Sequence, residues 1–84
     1  MEIKEIRKYL LDNFKCIKDV RLNDLFDMKT WKRSGTRATV YLDNKTLYAV
    51  GWVKGLQTQI GADDCYITNE RNRLTILFDF RDKK

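Results

Sequence analysis

RATVYLDNKTLYAVGWV, residues Arg37 to Val53, is the stretch on which the reading of the fold turns. Its β-branched and aromatic residues alternate about Asn44-Lys45 and predict a β-hairpin. Asp43 then pairs with Thr46, Leu42 with Leu47, Val40 with Ala49 and Ala38 with Gly51. The alternate rungs set Tyr41 against Tyr48, Thr39 against Val50 and Arg37 against Trp52, since successive strand side chains point to opposite faces. One face is apolar and the other aromatic with a basic edge. A slip of one residue would exchange the faces, so the consistency of the pattern supports the register. Asn44 tolerates the left-handed backbone that a tight turn needs.

Upstream of it, Asn23 to Gly35 carries helix punctuation. Asn23 is a capping residue, Asp24 and Asp27 fall in the first turn, Lys32 and Arg33 in the last, and Gly35 is a left-handed stop. Leu22, Leu25, Phe26 and Lys29 share a face, with Leu22 and Phe26 placed as a hydrophobic staple. Further back, EIKEIRKYLLDNF (Glu2 to Phe14) sets Ile3, Ile6, Leu10 and Phe14 at helical spacing, widened by Leu11, and predicts an amphipathic helix. Cys16 to Leu22 reads as an extended connector or short edge strand: Cys16, Val20 and Leu22 fit period two, while Ile17 lies on the wrong side.

Downstream, Lys54-Gly55 marks a turn and Leu56 to Ile60 a short strand. Ala62-Asp63-Asp64 is a second turn. Cys65 to Phe80 is a hairpin with its loop near Asn69 to Asn72, pairing Ile67 with Leu74 and Cys65 with Ile76. Phe78 and Phe80 extend its apolar side, and Tyr66, Thr68, Arg73, Thr75 and Leu77 form the other. The expected architecture is α+β: two N-terminal helices packed on one face of an antiparallel β-meander of four or five strands. The covered face is expected to carry Ala38, Val40, Leu42, Leu47, Ala49, Gly51, Ile67, Leu74 and Ile76. The 84 residues allow one domain, 1–84, with a basic tail frayed from about residue 81.

There are 17 Lys and Arg against 12 Asp and Glu, a formal charge of +5, which favours an acidic partner. Charges interrupt the N-terminal stretch too often for a signal peptide or a membrane span, so a soluble cytoplasmic protein with no membrane partner is expected. Two cysteines, Cys16 and Cys65, and no histidine exclude a Cys/His zinc site; a Cys16–Cys65 disulfide is formally open, and two buried reduced thiols are the simpler reading for a cytosolic protein. Without histidine or a Gly-rich phosphate loop there is no nucleophile triad, and the sole serine, Ser34, sits beside Gly35. Asp63 and Asp64 with Asp43 or Asp79 offer acids for a cation or a carboxylate pair, and a Gly-flanked acidic loop is more simply a solvated turn. No enzyme, no metal and no cofactor is expected.

What remains is binding. From Met28 to Leu42 no residue is acidic, while Lys29, Lys32, Arg33 and Arg37 gather around Trp31. Tyr41, Tyr48 and Trp52 would stand on the hairpin beside Arg37 and Arg73 as a platform on which bases stack, with the cations on phosphates. This predicts a small nucleic-acid-binding module, DNA or RNA, with single strands favoured. The plainer reading makes the rings core and the bases of the segment a helix-dipole complement.

Exposed Tyr and Trp with Arg nearby also suit a protein hot spot. In size, composition and lack of catalytic groups the chain resembles phage-encoded regulators and inhibitors of host defence such as anti-CRISPR proteins. That resemblance implies, as the alternative, an inhibitor or adaptor acting on an acidic or nucleic-acid-binding site of a host protein, as a monomer or small homo-oligomer. Locally, Thr39 to Val53 resembles the N-terminal hairpin of ribosome-inactivating N-glycosidases through Leu42, Asp43, Tyr48, Val50 and Gly51, which would give Tyr48 a base-stacking role. That family's second Tyr and its Glu/Arg pair have no counterpart here, and no membership follows.

Overall fold

A computed structural model describes residues 2–43, 50–70 and 73–82. The chain runs α1 (Ile3–Asn13), β1 (Ile17–Phe26), β2 (Arg33–Leu42), α2 (Val50–Ile60), β3 (Asp64–Glu70) and β4 (Arg73–Arg81). The strands form one antiparallel sheet in the order β1-β2-β4-β3. The class is α+β, with two helices and four strands among the described residues. It is not a meander with both helices first: the second helix lies mid-chain, and β4 inserts between β2 and β3.

α1 forms where the periodicity places it. Ile6 and Leu10 are fully buried, and Ile3, Leu11 and Phe14 flank the core. Burying each of the first two contributes roughly 1.5–3 kcal/mol. The amide of Phe14 closes the last turn on the Leu10 carbonyl.

β1 is a full edge strand rather than a connector. A register irregularity between Ile17 and Asp19 leaves Lys18 as the extra residue, so Ile17 and Val20 both reach the core although period two sets them apart. The strand then continues through Asn23 to Phe26, which overturns the helix expected from Asn23 to Arg33. Asn23 and Asp24 pair with Arg37 and Thr36 on β2, and the oxygens of Asp24 and Asp27 serve a cross-strand ion pair and a turn instead of a helix start. Nor is Gly35 a helix stop. It lies in β2 opposite Arg81, and a Cβ there would stand 1.9 Å from the Phe80 carbonyl oxygen, so two backbones approach where no side chain fits.

The organising hairpin is half right. Arg37 to Leu42 is strand, but its neighbours are β1 and β4, with Ala38 between Leu22 and Phe78 and Val40 between Val20 and Ile76. The predicted turn at Asn44-Lys45 and the rungs through Thr46, Leu47, Tyr48 and Ala49 lie outside the described residues. Val50 to Val53, expected as strand, opens α2, and Leu56 to Ile60 completes it. Val53, Leu56 and Ile60 recur at helical spacing and all three are buried, so packing of that stripe prevails over the strand preference of Val-Gly-Trp-Val. The turn expected at Lys54-Gly55 is likewise helix interior. Gly61, at φ 78, ends α2: its amide and that of Ala62 both reach the Gln57 carbonyl. The N-glycosidase likeness, which required a returning strand at Val50 and Gly51, falls with the hairpin.

β3 and β4 form the second hairpin. Its register differs by two residues from that expected, with Ile67 opposite Ile76 and Cys65 opposite Phe78. An even shift keeps each side chain on its face. Both helices contribute to one core with Val20, Ala38, Val40, Leu42, Ile76, Phe78 and Phe80. Ala38, Val40, Leu42 and Ile76 thus lie on the covered face as expected and Leu74 is half-buried there, whereas Ile67 is exposed and Gly51 belongs to α2. The last strand extends through Arg81, and the Asp82 amide donates to the Ser34 carbonyl. No helix among the described residues is long and apolar enough to cross a membrane.

Candidate functional site

The turn joining β1 to β2, residues 27–32, brings together two of the expected site residues and three side chains beside them. One residue builds it. Asp27 donates its amide to the Lys32 carbonyl (2.9 Å), accepts the Trp31 amide on its own carbonyl (2.8 Å) and accepts the Lys29 amide on Oδ1 (2.7 Å). The result is a closed, internally bonded turn in which Trp31 sits at φ 58, the one non-glycine residue with positive φ among those described. A bulky residue in that conformation is an outlier with a cost of about 1–3 kcal/mol. The ring recovers none of it by burial: Trp31 is 74% exposed, Met28 79% and Phe26 51%. Trp31 therefore does not pack on the core.

Charge is distributed unevenly between the turn and the sheet. Every arginine whose side chain is described is paired: Arg7 and Arg21 with Asp19, Arg33 with Asp24 and Asp82, Arg37 with Asp79, and Arg81 with Asp64. Lys29 and Lys32, both exposed, make no ion pair among the described residues. Asp27, the nearest acid in sequence, has its carboxylate turned onto the Lys29 amide.

The remaining expected site residues are held elsewhere. Arg33 opens β2 and spends its guanidinium on Asp24, Asp82 and the Thr36 hydroxyl; the Asp24 hydrogen bond raises it above its ordinary value. Arg37 lies on the sheet face away from the helices and grips the buried Asp79 with two bonds, 2.7 and 3.0 Å, which likewise raise it. Tyr41 shares that face, half-buried, with the Arg21 guanidinium 5.6 Å from its ring centroid. Trp52 is not on the sheet. It sits in α2, half-buried, edge-on to Phe14 at 5.5 Å, as part of the packing between helices. Arg73 opens β4 opposite residue 70, and Tyr48 lies outside the described residues. The expected platform of Tyr41 beside Trp52 therefore does not form.

The acidic constellation is likewise occupied. Asp63 accepts the Arg81 amide (2.7 Å), Asp64 pairs with the Arg81 side chain, and Asp79 with Arg37. Among the described residues no three ligating groups converge on a metal position.

Phe26 and Met28 are the residues that sequence reasoning missed. The available signal was three large apolar side chains within six positions flanked by lysines, too closely spaced for one helix face and bracketed by an Asp able to make its own turn. No family model matches the chain, and no curated protein or solved structure is significantly similar to it.

Proposed function

We propose that this protein is a non-enzymatic binding module for nucleic acid, single strands above duplex, acting through the β1–β2 turn rather than through the face of the sheet. The observation that carries this reading is Trp31, exposed and held at positive φ between Lys29 and Lys32, neither of which makes an ion pair among the described residues. An indole presented in this way stacks on any base, for about 1–3 kcal/mol, and the lysines on either side reach the phosphates of the same strand. Arg33 and Arg37 are engaged by carboxylates and act as supports, with Tyr41 and Arg73 at a distance from the contact.

A second reading, an inhibitor or adaptor that docks on an acidic site of another protein, is favoured by Phe26 and Met28. Stacking on one base does not call for two further exposed apolar side chains, whereas a protein hot spot does.

Salt separates the two. Neutralising two phosphates on a single strand makes log K fall by roughly 1.4 for each tenfold rise in salt. Fluorescence anisotropy with labelled DNA and RNA oligonucleotides should show that slope, and Lys29→Glu with Lys32→Glu should remove both it and most of the affinity. Absence of binding to either oligonucleotide at low salt would defeat the nucleic-acid reading and leave the protein-docking one.

A further inference from the structure

We propose that β3 is a self-association edge: two copies of this chain join through antiparallel pairing of their β3 strands into one continuous sheet. The two edges of the sheet differ in kind. β1 is irregular near both ends, at Lys18 and again between Leu25 and Phe26, and its charged residues Lys18, Asp19, Arg21 and Asp24 are all in ion pairs. Bulges and charges are the means by which proteins keep an edge from pairing. β3 has neither. Its ladder to β4 runs unbroken from Asp64 opposite Asp79 to Glu70 opposite Arg73, it holds no proline, and Cys65 to Asn69 carries no charge. On that neutral run Tyr66 is 49% and Ile67 46% exposed, one on each face of the sheet.

The occupant is argued from the strand itself. Two copies related by a twofold axis normal to the sheet keep their helices on the same side, so only registers that oppose residues of like face are allowed. Centring on Ile67 sets Asp64 against Glu70 of the second copy, acid against acid. Centring on Thr68 sets Ile67 against Asn69. Centring on Tyr66 opposes Tyr66 to Tyr66, Cys65 to Ile67 and Asp64 to Thr68, which joins ring to ring and apolar to apolar with no like charges facing. The strand is complementary to itself in that register.

The register is testable by chemistry. Opposed residues in an antiparallel pair have Cα atoms about 4.5–5.5 Å apart, within disulfide reach. In a Cys16→Ser background, Ile67→Cys should give a disulfide-linked dimer with the native Cys65 of the second copy under mild oxidation, seen on a non-reducing gel. Asn69→Cys, which faces Asp63 in this register, should not. Sedimentation of the native chain from micromolar to millimolar concentration should show its mass doubling. Ile67→Lys, at an exposed position, should remain monomeric with an unchanged melting temperature. A native chain that stays monomeric throughout, a dimer that persists in Ile67→Lys, or equal cross-linking by the Asn69→Cys control would each overturn the proposal.

Discussion

The backbone carbonyl of Asp27 holds the amide of Trp31 at 2.8 Å, and that bond fixes the indole in a left-handed conformation with its ring in solvent. An aromatic side chain at a position suited to glycine costs the fold something and gives it no packing in return. Trp31→Gly should therefore leave the melting temperature nearly unchanged. Relief of about 1–2 kcal/mol of left-handed strain is largely offset by the ~0.4–1 kcal/mol that glycine's extra unfolded freedom costs. Affinity for single strands should fall by about 1–3 kcal/mol, roughly 5- to 150-fold. An unchanged affinity in anisotropy would remove Trp31 from the contact.

Trp52 should behave in the opposite way. Its ring lies against Phe14, so Trp52→Ala should loosen the packing of α2 on α1. The cost should be about 2–3 kcal/mol, below the ~3–5 kcal/mol of a fully buried ring because Trp52 is only partly buried. Chemical denaturation should show the lower midpoint, and oligonucleotide affinity of the folded protein should not move.

Gly35→Ala tests the close approach of β2 to β4. A methyl group 1.9 Å from the Phe80 carbonyl oxygen cannot be accommodated by a rotamer change, since both sides are backbone. The ladder must spread. A loss of about 2–3 kcal/mol is expected, or roughly 10–20 °C in melting temperature for a domain of this size. A neutral result would mean that the two strands stand further apart than described.

How much of this could be read from the sequence follows from how many readings each residue type allows. α1 and the β3–β4 hairpin were legible because each shows one period, bounded by turn residues, with no competing pattern. Residues 23–35 were not, because the carboxylate of Asp27 that would accept amides at a helix start accepts them equally well in a turn. Propensity cannot tell the two uses apart. In Val50 to Ile60 both periods were present, and burial of Val53, Leu56 and Ile60 decides between them only once the sheet supplies something to pack on. For the site, the basic segment around Trp31 was visible as charge. Which of its cations are engaged by carboxylates depended on Asp24, Asp79 and Asp82, whose proximity is a product of the fold.

Arg37→Ala examines that pairing. It leaves the Asp79 carboxylate buried without its two-pronged partner, the situation in which breaking an ion pair is most harmful. Because the Arg37 side chain is partly exposed, about 1–3 kcal/mol is expected instead of the ~3–5 kcal/mol of a fully buried pair. Arg37→Ala with Asp79→Val should recover part of the loss. Oligonucleotide affinity should fall little in either variant, in contrast to Lys29→Glu with Lys32→Glu. A large loss of affinity in well-folded Arg37→Ala would place the contact on the sheet after all.

β4 lies between two strands that both precede it in the chain. A ribosome making this polypeptide can close the β1–β2 ladder early, but until the segment from Arg73 to Arg81 has emerged β2 and β3 have no strand to join them, and the sheet cannot be completed. Every nascent fragment short of that point leaves unpaired the edges of β2 and β3 that β4 occupies in the finished sheet. Acquisition of the native state is therefore a single late event, and premature termination upstream of β4 should yield material for chaperones and proteases rather than a smaller working protein.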